Sequence, residues 1–164
     1  KAIERELQDP GATSHLDQSQ ADRFQDASTY TGEAAELQHR ALVVEDNDHE
    51  RELLAGYLRV SGFDVDTATD GLQAMVRLTE KSPADFVLLD MRMPRFDGRK
   101  TVDAIRSNPD YSKLKLFAVS GARREDMNVS LGPNGVDRWF TKPIDPQTLL
   151  DAMRDELQED RIFA

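Results

Sequence analysis

The chain has 164 residues, of which 38% are hydrophobic, and its formal net charge is −10. This length allows one ordinary domain with additional sequence, and the acidic balance argues against direct nucleic-acid binding, which needs clustered lysines and arginines. The absence of cysteine excludes disulfides and thiolate metal sites, and the sequence shows neither an apolar run long enough to cross a membrane nor a signal peptide.

Residues 1–39 form a polar segment with scattered apolar side chains. Such a segment buries too little apolar surface to offset the entropy lost on ordering, so we expect a linker or tail. A short helix is expected at 1–9, because Ile3 and Leu7 lie four residues apart and Pro10 would end it. This helix is either a frayed stub or the end of an upstream domain. The first residue is lysine rather than methionine, which indicates a piece of a longer or processed protein.

From residue 40 to residue 158, apolar runs alternate with segments of helical periodicity, and residues 159–164 form a predicted tail. The predicted strands lie in ALVV, FDVDTA, DFVLLD, KLFAVS and VDRWFT. The predicted helices lie in DHERELLAGYLRVSG, DGLQAMVRLTEK, GRKTVDAIRSN, RREDMNVSL and DPQTLLDAMRDEL, and in the second of them we expect the inward residues Leu72, Met75, Val76 and Leu78. This alternation predicts an α/β fold, a doubly wound five-stranded parallel sheet with helices on both faces.

Polar residues follow the predicted strands at the edge where ligands of open α/β sheets bind, beyond the carboxyl ends of the strands. Glu45 and Asp46 follow the first strand, and Asp90 follows the third. Ser120 ends the fourth strand, and Lys142 follows the fifth. In the flavodoxin-like strand order 2-1-3-4-5 these strands are neighbours. We therefore expect the three acids, the hydroxyl and the ammonium to converge.

A cluster of this composition suits phosphoryl transfer to a carboxylate. Crowded carboxylates repel one another, and a hard divalent cation such as Mg²⁺, which takes oxygen ligands, relieves that repulsion. A lysine and a hydroxyl can hold phosphoryl oxygens, and such catalysis depends mainly on positioning and charge neutralisation. Each residue alone also has an ordinary structural explanation, as a helix cap or a turn former. The joint arrangement is what favours a site.

Four segments, LVVEDN, FVLLDMRMPRFDG, FAVSGA and WFTKPID, carry a resemblance to response-regulator receiver domains of two-component signalling, over about residues 40–158. The resemblance implies that Asp90 is the phosphoacceptor. It implies Asp46 as a direct Mg²⁺ ligand and Glu45 as a ligand through water. The main-chain carbonyl of Arg92 is implied as another metal contact.

The same resemblance assigns the remaining predicted site residues. Ser120 holds the place of the switch hydroxyl, and Lys142 that of the phosphate-binding lysine. The bond from Lys142 to Pro143 is expected to be cis. Trp139 stands at the position of the aromatic switch residue, and it is either a moving ring or a fixed contact for a partner.

The implied function is a cytoplasmic phosphorylation switch and not an enzyme that turns over an external substrate. A histidine kinase or a histidine phosphotransfer protein would be the phosphodonor. The face of the fourth helix, fifth strand and fifth helix, with Arg123, Arg124, Asp126 and Trp139, would control a downstream effector or an attached domain. A homodimer stays open, and no direct contact with nucleic acid or with a membrane is expected.

Other functions remain as alternatives. The chain could be a receiver-like module that binds partners without taking phosphate, or the C-terminal receiver of a hybrid sensor kinase. A haloacid-dehalogenase-type enzyme would want a second aspartate two residues after Asp90, where Arg92 stands. A flavodoxin-like cofactor site would want a Ser/Thr/Gly-rich loop after the first strand, where EDNDHE is acidic. Because only QEDRIFA follows Leu157, we expect an output domain to lie upstream of Lys1, in another chain, or nowhere.

Overall fold

The computed structural model describes residues 38–80 and 83–163. The helix expected at 1–9 and nearly all of the polar segment 1–39 lie outside the described residues. The strands are β1 (Arg40–Val44), β2 (Asp64–Ala68), β3 (Phe86–Leu89), β4 (Lys115–Ser120) and β5 (Arg138–Thr141). The helices are α1 (Asp48–Val60), α2 (Gly71–Glu80), α3 (Gly98–Arg106), α4 (Arg124–Met127) and α5 (Pro146–Ile162), with a 3-10 turn at Pro109–Tyr111.

The strands form one parallel sheet in the order β2-β1-β3-β4-β5, which confirms the predicted fold class. The register aligns the carboxyl ends of neighbouring strands at one edge of the sheet. Val44 of β1 pairs with Leu89 of β3, and Ser120 of β4 pairs with Thr141 of β5. The residues that follow β1 and β3 are consequently brought side by side.

Helices cover both faces of the sheet, as an α/β fold requires to bury two apolar surfaces. Alternate strand residues contribute to two separate cores, because successive side chains point to opposite faces. One core joins the sheet to α2 and α3 and includes Leu89, Ala74 and Ile105. The other joins it to α1 and α5 and includes Phe86 and Leu149. Strand β3 is buried along its whole length, as its run of apolar residues predicts.

Side-chain caps start three of the helices at the edge where the strands end. The Asn47 side chain accepts the Glu50 N–H, Asp97 accepts the Lys100 N–H, and Asp145 accepts the Thr148 N–H. Such caps satisfy backbone donors that have no partner within the helix. They fix where α1, α3 and α5 begin, and therefore fix the loops that carry the polar residues.

Three details differ from the sequence-based expectations, and the first is that α4 spans only Arg124–Met127 of the predicted helix RREDMNVSL. Leu72 and Val76 were expected to face the core, but they are 57% and 50% exposed. The prediction was wrong because α2 buries a narrow stripe of small and apolar residues, at Gly71, Ala74 and Leu78. Helix α5 runs to Ile162, so residues 159–162 of the predicted tail are helical. No helix among residues 38–80 and 83–163 is long and apolar enough to cross a membrane.

Candidate functional site

Three acids meet where β1 and β3 end. One carboxylate oxygen from each of Glu45, Asp46 and Asp90 lies within 4.8 Å of the others. Glu45 and Asp90 are buried, whereas Asp46 is exposed. The parallel ladder produces this arrangement, since the Asp90 N–H donates to the Val44 carbonyl at 2.9 Å and the Glu45 N–H donates to the Ala68 carbonyl at 3.1 Å.

Backbone donors orient two of these carboxylates. Asp90 Oδ1 accepts the Arg92 N–H at 3.0 Å, and Glu45 Oε1 accepts the Asn47 N–H at 3.0 Å. The buried Arg51 guanidinium donates to the Glu45 carbonyl at 2.9 Å and so holds the start of the loop. One oxygen of each acid is therefore fixed by the backbone, while Asp90 Oδ2 and Glu45 Oε2 face Lys142.

Lys142 brings the ammonium into the acidic cluster. Its Nζ lies 2.8 Å from Glu45 Oε2 and 3.6 Å from Asp90 Oδ2. A third carboxylate, that of Glu50 in the first turn of α1, accepts from the same Nζ at 2.5 Å. The backbone N–H of Lys142 donates to the Ser120 carbonyl at 2.9 Å, and the bond to Pro143 is cis, as expected.

The charges at the site are unbalanced. Burial raises the pKa of Glu45 and the charge of Asp90 adds to this, although Lys142 and the Asn47 N–H act in the opposite direction. Burial alone would lower the pKa of Lys142, but its hydrogen bonds to Glu45 and Glu50 and the charge of Asp90 raise it overall. Lys142 is therefore charged at neutral pH, and one ammonium faces several carboxylates.

Ser120 and Trp139 make no side-chain hydrogen bond to the acids or to Lys142 among the described residues. Ser120 is fully buried, and its Oγ accepts the Ala122 N–H at 3.2 Å. Trp139 pairs with Ala118 along β5 and packs against the core on the α2 and α3 side. Its indole Nε1 is buried and has no hydrogen-bond partner among the described residues. Both residues are thus connected to the cluster through strands β4 and β5.

The donor set suits Mg²⁺. All three acids offer oxygen, the ligand type that Mg²⁺ prefers, and one oxygen of each lies within 4.8 Å of the others. The buried acids repel one another, so a divalent cation would be held favourably among them. Arg92 reaches the site through its backbone N–H, and its carbonyl as a metal ligand stays a prediction.

The sequence analysis missed Glu50 and Arg51, which both contact the predicted site. A signal for Glu50 was present, because Asn47 and Glu50 have the spacing of a capping box at the start of a helix. That spacing puts Glu50 in the first turn, beside the loop with Glu45 and Asp46. Arg51, one residue later, gives no comparable signal.

An apolar groove of about 400 Å³ opens beside the acids. Its apolar lining comes mainly from α1 and from the segment after β5, with Leu53, Leu54, Tyr57, Pro143, Ile144 and Pro146. Leu53 is 67% exposed within it. A larger cavity, of about 690 Å³, lies near the start of β4 and contains none of the predicted site residues.

Residues 41–154 match the family model described as the response regulator receiver domain. The chain is 36% identical over 112 residues to a transcriptional regulatory protein, the CpxR homolog of Haemophilus influenzae, covering 68% of this chain and 47% of that protein. It is 30% identical over 117 residues to hybrid signal transduction histidine kinase A of Dictyostelium discoideum, covering 70% of this chain and 5% of that protein. The chain therefore spans about half the length, or far less, of these relatives.

Two solved structures show the likeness in three dimensions. A response regulator receiver protein from Pseudomonas putida has 28% identity and a TM-score of 0.66, with 72% of this chain and 97% of that chain covered. A receiver domain protein from Methanospirillum hungatei has 21% identity and a TM-score of 0.68, with 77% and 99% covered. The second likeness concerns the fold alone.

Proposed function

The chain belongs to the response regulator receiver domain family of two-component signalling, and we propose that it is a phosphorylation switch whose acceptor is Asp90. Receivers are signalling modules rather than metabolic enzymes. The observation that carries the proposal is the meeting of Glu45, Asp46 and Asp90 within 4.8 Å, with Lys142 Nζ 3.6 Å from Asp90 Oδ2. The residues proposed as nucleophile, as metal-binding oxygen set and as cation for the phosphoryl oxygens are thus adjacent.

Glu45, Asp46 and Asp90 would hold Mg²⁺, with the Arg92 carbonyl as a further ligand. When bound, the cation would supply positive charge for the oxygens of the transferred phosphoryl group. The Arg92 N–H keeps Asp90 Oδ1 in place, which leaves Oδ2, the oxygen that faces Lys142, as the nucleophile.

In the proposed transfer, Asp90 Oδ2 forms a bond to phosphorus while the phosphorus–nitrogen bond of a phosphohistidine breaks. The leaving imidazole nitrogen keeps the electron pair of that bond and takes up a proton from solvent water. Lys142 donates to the phosphoryl oxygens, and the Ser120 hydroxyl would turn from Ala122 to donate to another. These residues contribute mainly position and charge, as expected for phosphoryl transfer.

The apolar groove supports a protein as the donor. An exposed leucine at the edge of an acidic site gives a partner apolar surface to bury, and Leu53 is 67% exposed there. The donor would be a histidine kinase or a histidine phosphotransfer protein. We place this phosphoryl transfer in the cytoplasm, where ATP-dependent histidine kinases become phosphorylated.

The output would pass through β4 and β5. Phosphorylation replaces the single negative charge of Asp90 by close to two on the phosphoryl oxygens, which attract Ser120 and Lys142. The Lys142 N–H is hydrogen-bonded to the Ser120 carbonyl, and Trp139 pairs with Ala118. A shift of the end of β4 would therefore move β5 and so change the surface formed by α4, β5 and α5. That face, where Arg123 pairs with Asp126, would control an effector or an attached domain by population shift.

The C-terminal receiver of a hybrid sensor kinase is a second candidate for the whole protein. The observations that favour it are the 30% identity to the Dictyostelium discoideum hybrid kinase and the likeness to a sensor protein from Polaromonas, with 27% identity and a TM-score of 0.66. The acceptor chemistry is the same in both cases.

Intact mass after incubation with Mg²⁺ and acetyl phosphate tests the acceptor. We expect wild type to gain one phosphoryl group and Asp90→Asn to gain none, with the fluorescence of Trp139 followed in the same samples. A gain in both proteins would place the acceptor elsewhere. No gain in wild type, from acetyl phosphate or from a phosphorylated histidine phosphotransfer protein, would favour the module that binds partners without phosphate.

A further inference from the structure

The ammonium of Lys142 is shared among three carboxylates. Its Nζ lies 2.5 Å from Glu50 Oε2, 2.8 Å from Glu45 Oε2 and 3.6 Å from Asp90 Oδ2. A lysine ammonium has three N–H donors, and two of them are hydrogen-bonded, to Glu50 and Glu45, whereas Asp90 Oδ2 lies beyond hydrogen-bond length. The shortest of the contacts is to Glu50, which is neither the acceptor nor a member of the predicted metal set.

The start of α1 fixes Glu50 opposite Lys142. The Glu50 N–H donates to the Asn47 side chain at 3.0 Å, which holds the residue in the first turn of the helix. Its carboxylate is half exposed, with 51% of the side chain accessible, whereas the Glu45 side chain is 8% accessible. The two acids that hold Lys142 therefore differ in how readily each could do without it.

A phosphoryl group on Asp90 would draw the Lys142 ammonium toward its oxygens, and the two glutamates that are hydrogen-bonded to Nζ oppose that movement. Glu45 belongs to the proposed metal set, so bound Mg²⁺ would be its partner in place of Lys142, whereas Glu50 lies outside that set. Releasing Glu50 returns an exposed carboxylate to water, where such pairs are weak. Glu50 is thus the contact that exchanges for the phosphoryl group.

We propose that Glu50 is a positioning residue that holds Lys142 before phosphorylation and competes with the phosphoryl group for it. This inference rests on the proposed phosphorylation of Asp90. The contact then makes phosphoryl capture less favourable, so removing the Glu50 charge should increase the phosphorylated fraction at a given donor concentration.

The test compares Glu50→Gln with Glu52→Gln. Glu52 is a matched control, because it lies on the same helix, is 60% accessible and pairs with Arg59 at 3.7 Å instead of Lys142. The phosphorylated fraction is measured by intact mass over a series of acetyl phosphate concentrations at saturating Mg²⁺. We expect Glu50→Gln to reach half phosphorylation at about two- to fivefold less acetyl phosphate, the size set by an exposed ion pair. Equal curves for wild type, Glu50→Gln and Glu52→Gln would overturn the proposal.

A second pair of proteins separates the Lys142 contact from simple repulsion between Glu50 and an anionic donor. Phosphorylation rates of Lys142→Met and of Lys142→Met combined with Glu50→Gln should be equal, because the residue through which Glu50 acts is gone. If Glu50→Gln increased the phosphorylation rate by the same factor in Lys142→Met as in wild type, general electrostatic repulsion would explain the effect and the proposal would be overturned.

A measurement on unphosphorylated protein keeps this inference distinct from the proposed function. The NMR signal of Lys142 Cε, assigned through Lys142→Met, should shift in Glu50→Gln and stay in place in Glu52→Gln. An unshifted signal would refute the contact. A wild type that takes no phosphoryl group would refute the proposed function, and with it the competition, whatever the NMR result.

Discussion

Asp90→Asn should stabilise the fold when no divalent cation is bound. The substitution removes one negative charge and keeps the shape of the side chain, and the amide oxygen can still accept the Arg92 N–H. In wild type the Asp90 charge is repelled by Glu45 and Asp46, whose oxygens lie within 4.8 Å, and is attracted by Lys142 at 3.6 Å. The balance of these three interactions sets the sign of the effect.

The magnitude follows from Coulomb's law at those distances. Taken at 4.8 Å, the upper limit of the separation, each repulsion amounts to about 0.9 kcal/mol at an effective dielectric constant of about 80 and about 3.5 kcal/mol at about 20. The attraction at 3.6 Å amounts to about 1.2 and about 4.6 kcal/mol under the same conditions. Removing the Asp90 charge abolishes two repulsions and one attraction, so the free energy of unfolding should rise by about 0.6 to 2.3 kcal/mol. Because Asp46 is exposed, solvent screening favours the lower part of this range.

Urea unfolding at neutral pH with EDTA, followed by Trp139 fluorescence, measures this gain. The exposed Asp155 on α5 supplies the control, since Asp155→Asn makes the same change in net charge away from the site. Excess Mg²⁺ should reverse the order, because binding at 100 times Kd stabilises wild type by about 2.7 kcal/mol and the variant lacks one ligand. A lower free energy of unfolding for Asp90→Asn than for wild type in EDTA would refute this reasoning.

Three further predictions concern single side chains. Arg92→Ala should alter the lifetime of the phosphoryl group, because Arg92 is a long cation two residues after Asp90; equal dephosphorylation rates would contradict this. Asn47→Ala should lower the free energy of unfolding by about 1 kcal/mol through loss of the α1 cap, and unchanged urea midpoints would be inconsistent with it. Burial alone would lower the pKa of Lys115, but hydrogen bonds to Glu156 and Asp160 raise it above its ordinary value of 10.5. The free energy of unfolding of wild type should therefore exceed that of Lys115→Met from neutral pH up to 10.5, and this difference should disappear as the pH rises through the higher pKa of folded Lys115. A difference that persists at still higher pH would contradict the role given to Glu156 and Asp160.

The sheet and the position of its functional edge could be predicted because both follow from local patterns. Apolar runs of strand length alternate with helical periods, and parallel strands then need helices between them. Polar residues placed directly after such runs, as Glu45 and Asp90 are, must meet at the carboxyl edge once the strand order is known. The three-dimensional position of a residue next to a strand end can thus be predicted from its place in the sequence.

Contacts made by helix residues could not be predicted in this way. Whether Leu72 and Val76 are buried depends on how α2 is rotated against the sheet, and a helix with apolar residues on adjoining faces leaves that rotation open. The contact of Glu50 with Lys142 joins residues 92 positions apart, and it depends on both side-chain conformations. The end of α5 was missed because its apolar periodicity stops before its helix-forming residues do.

The topology explains why an acidic cluster is tolerable at this edge. Each parallel strand leads into a helix that starts there, so the unpaired N–H groups and the positive dipole ends of α1, α3 and α5 lie at the same edge as the carboxylates. The caps use some of these donors, and Asp90 and Glu45 use the N–H groups of the adjoining loops. A backbone arrangement of this kind is permanent and cannot respond to phosphorylation. In the proposed switch Lys142 would exchange one carboxylate for the phosphoryl group, and the acid that holds it before phosphorylation would therefore set how readily that group is accepted.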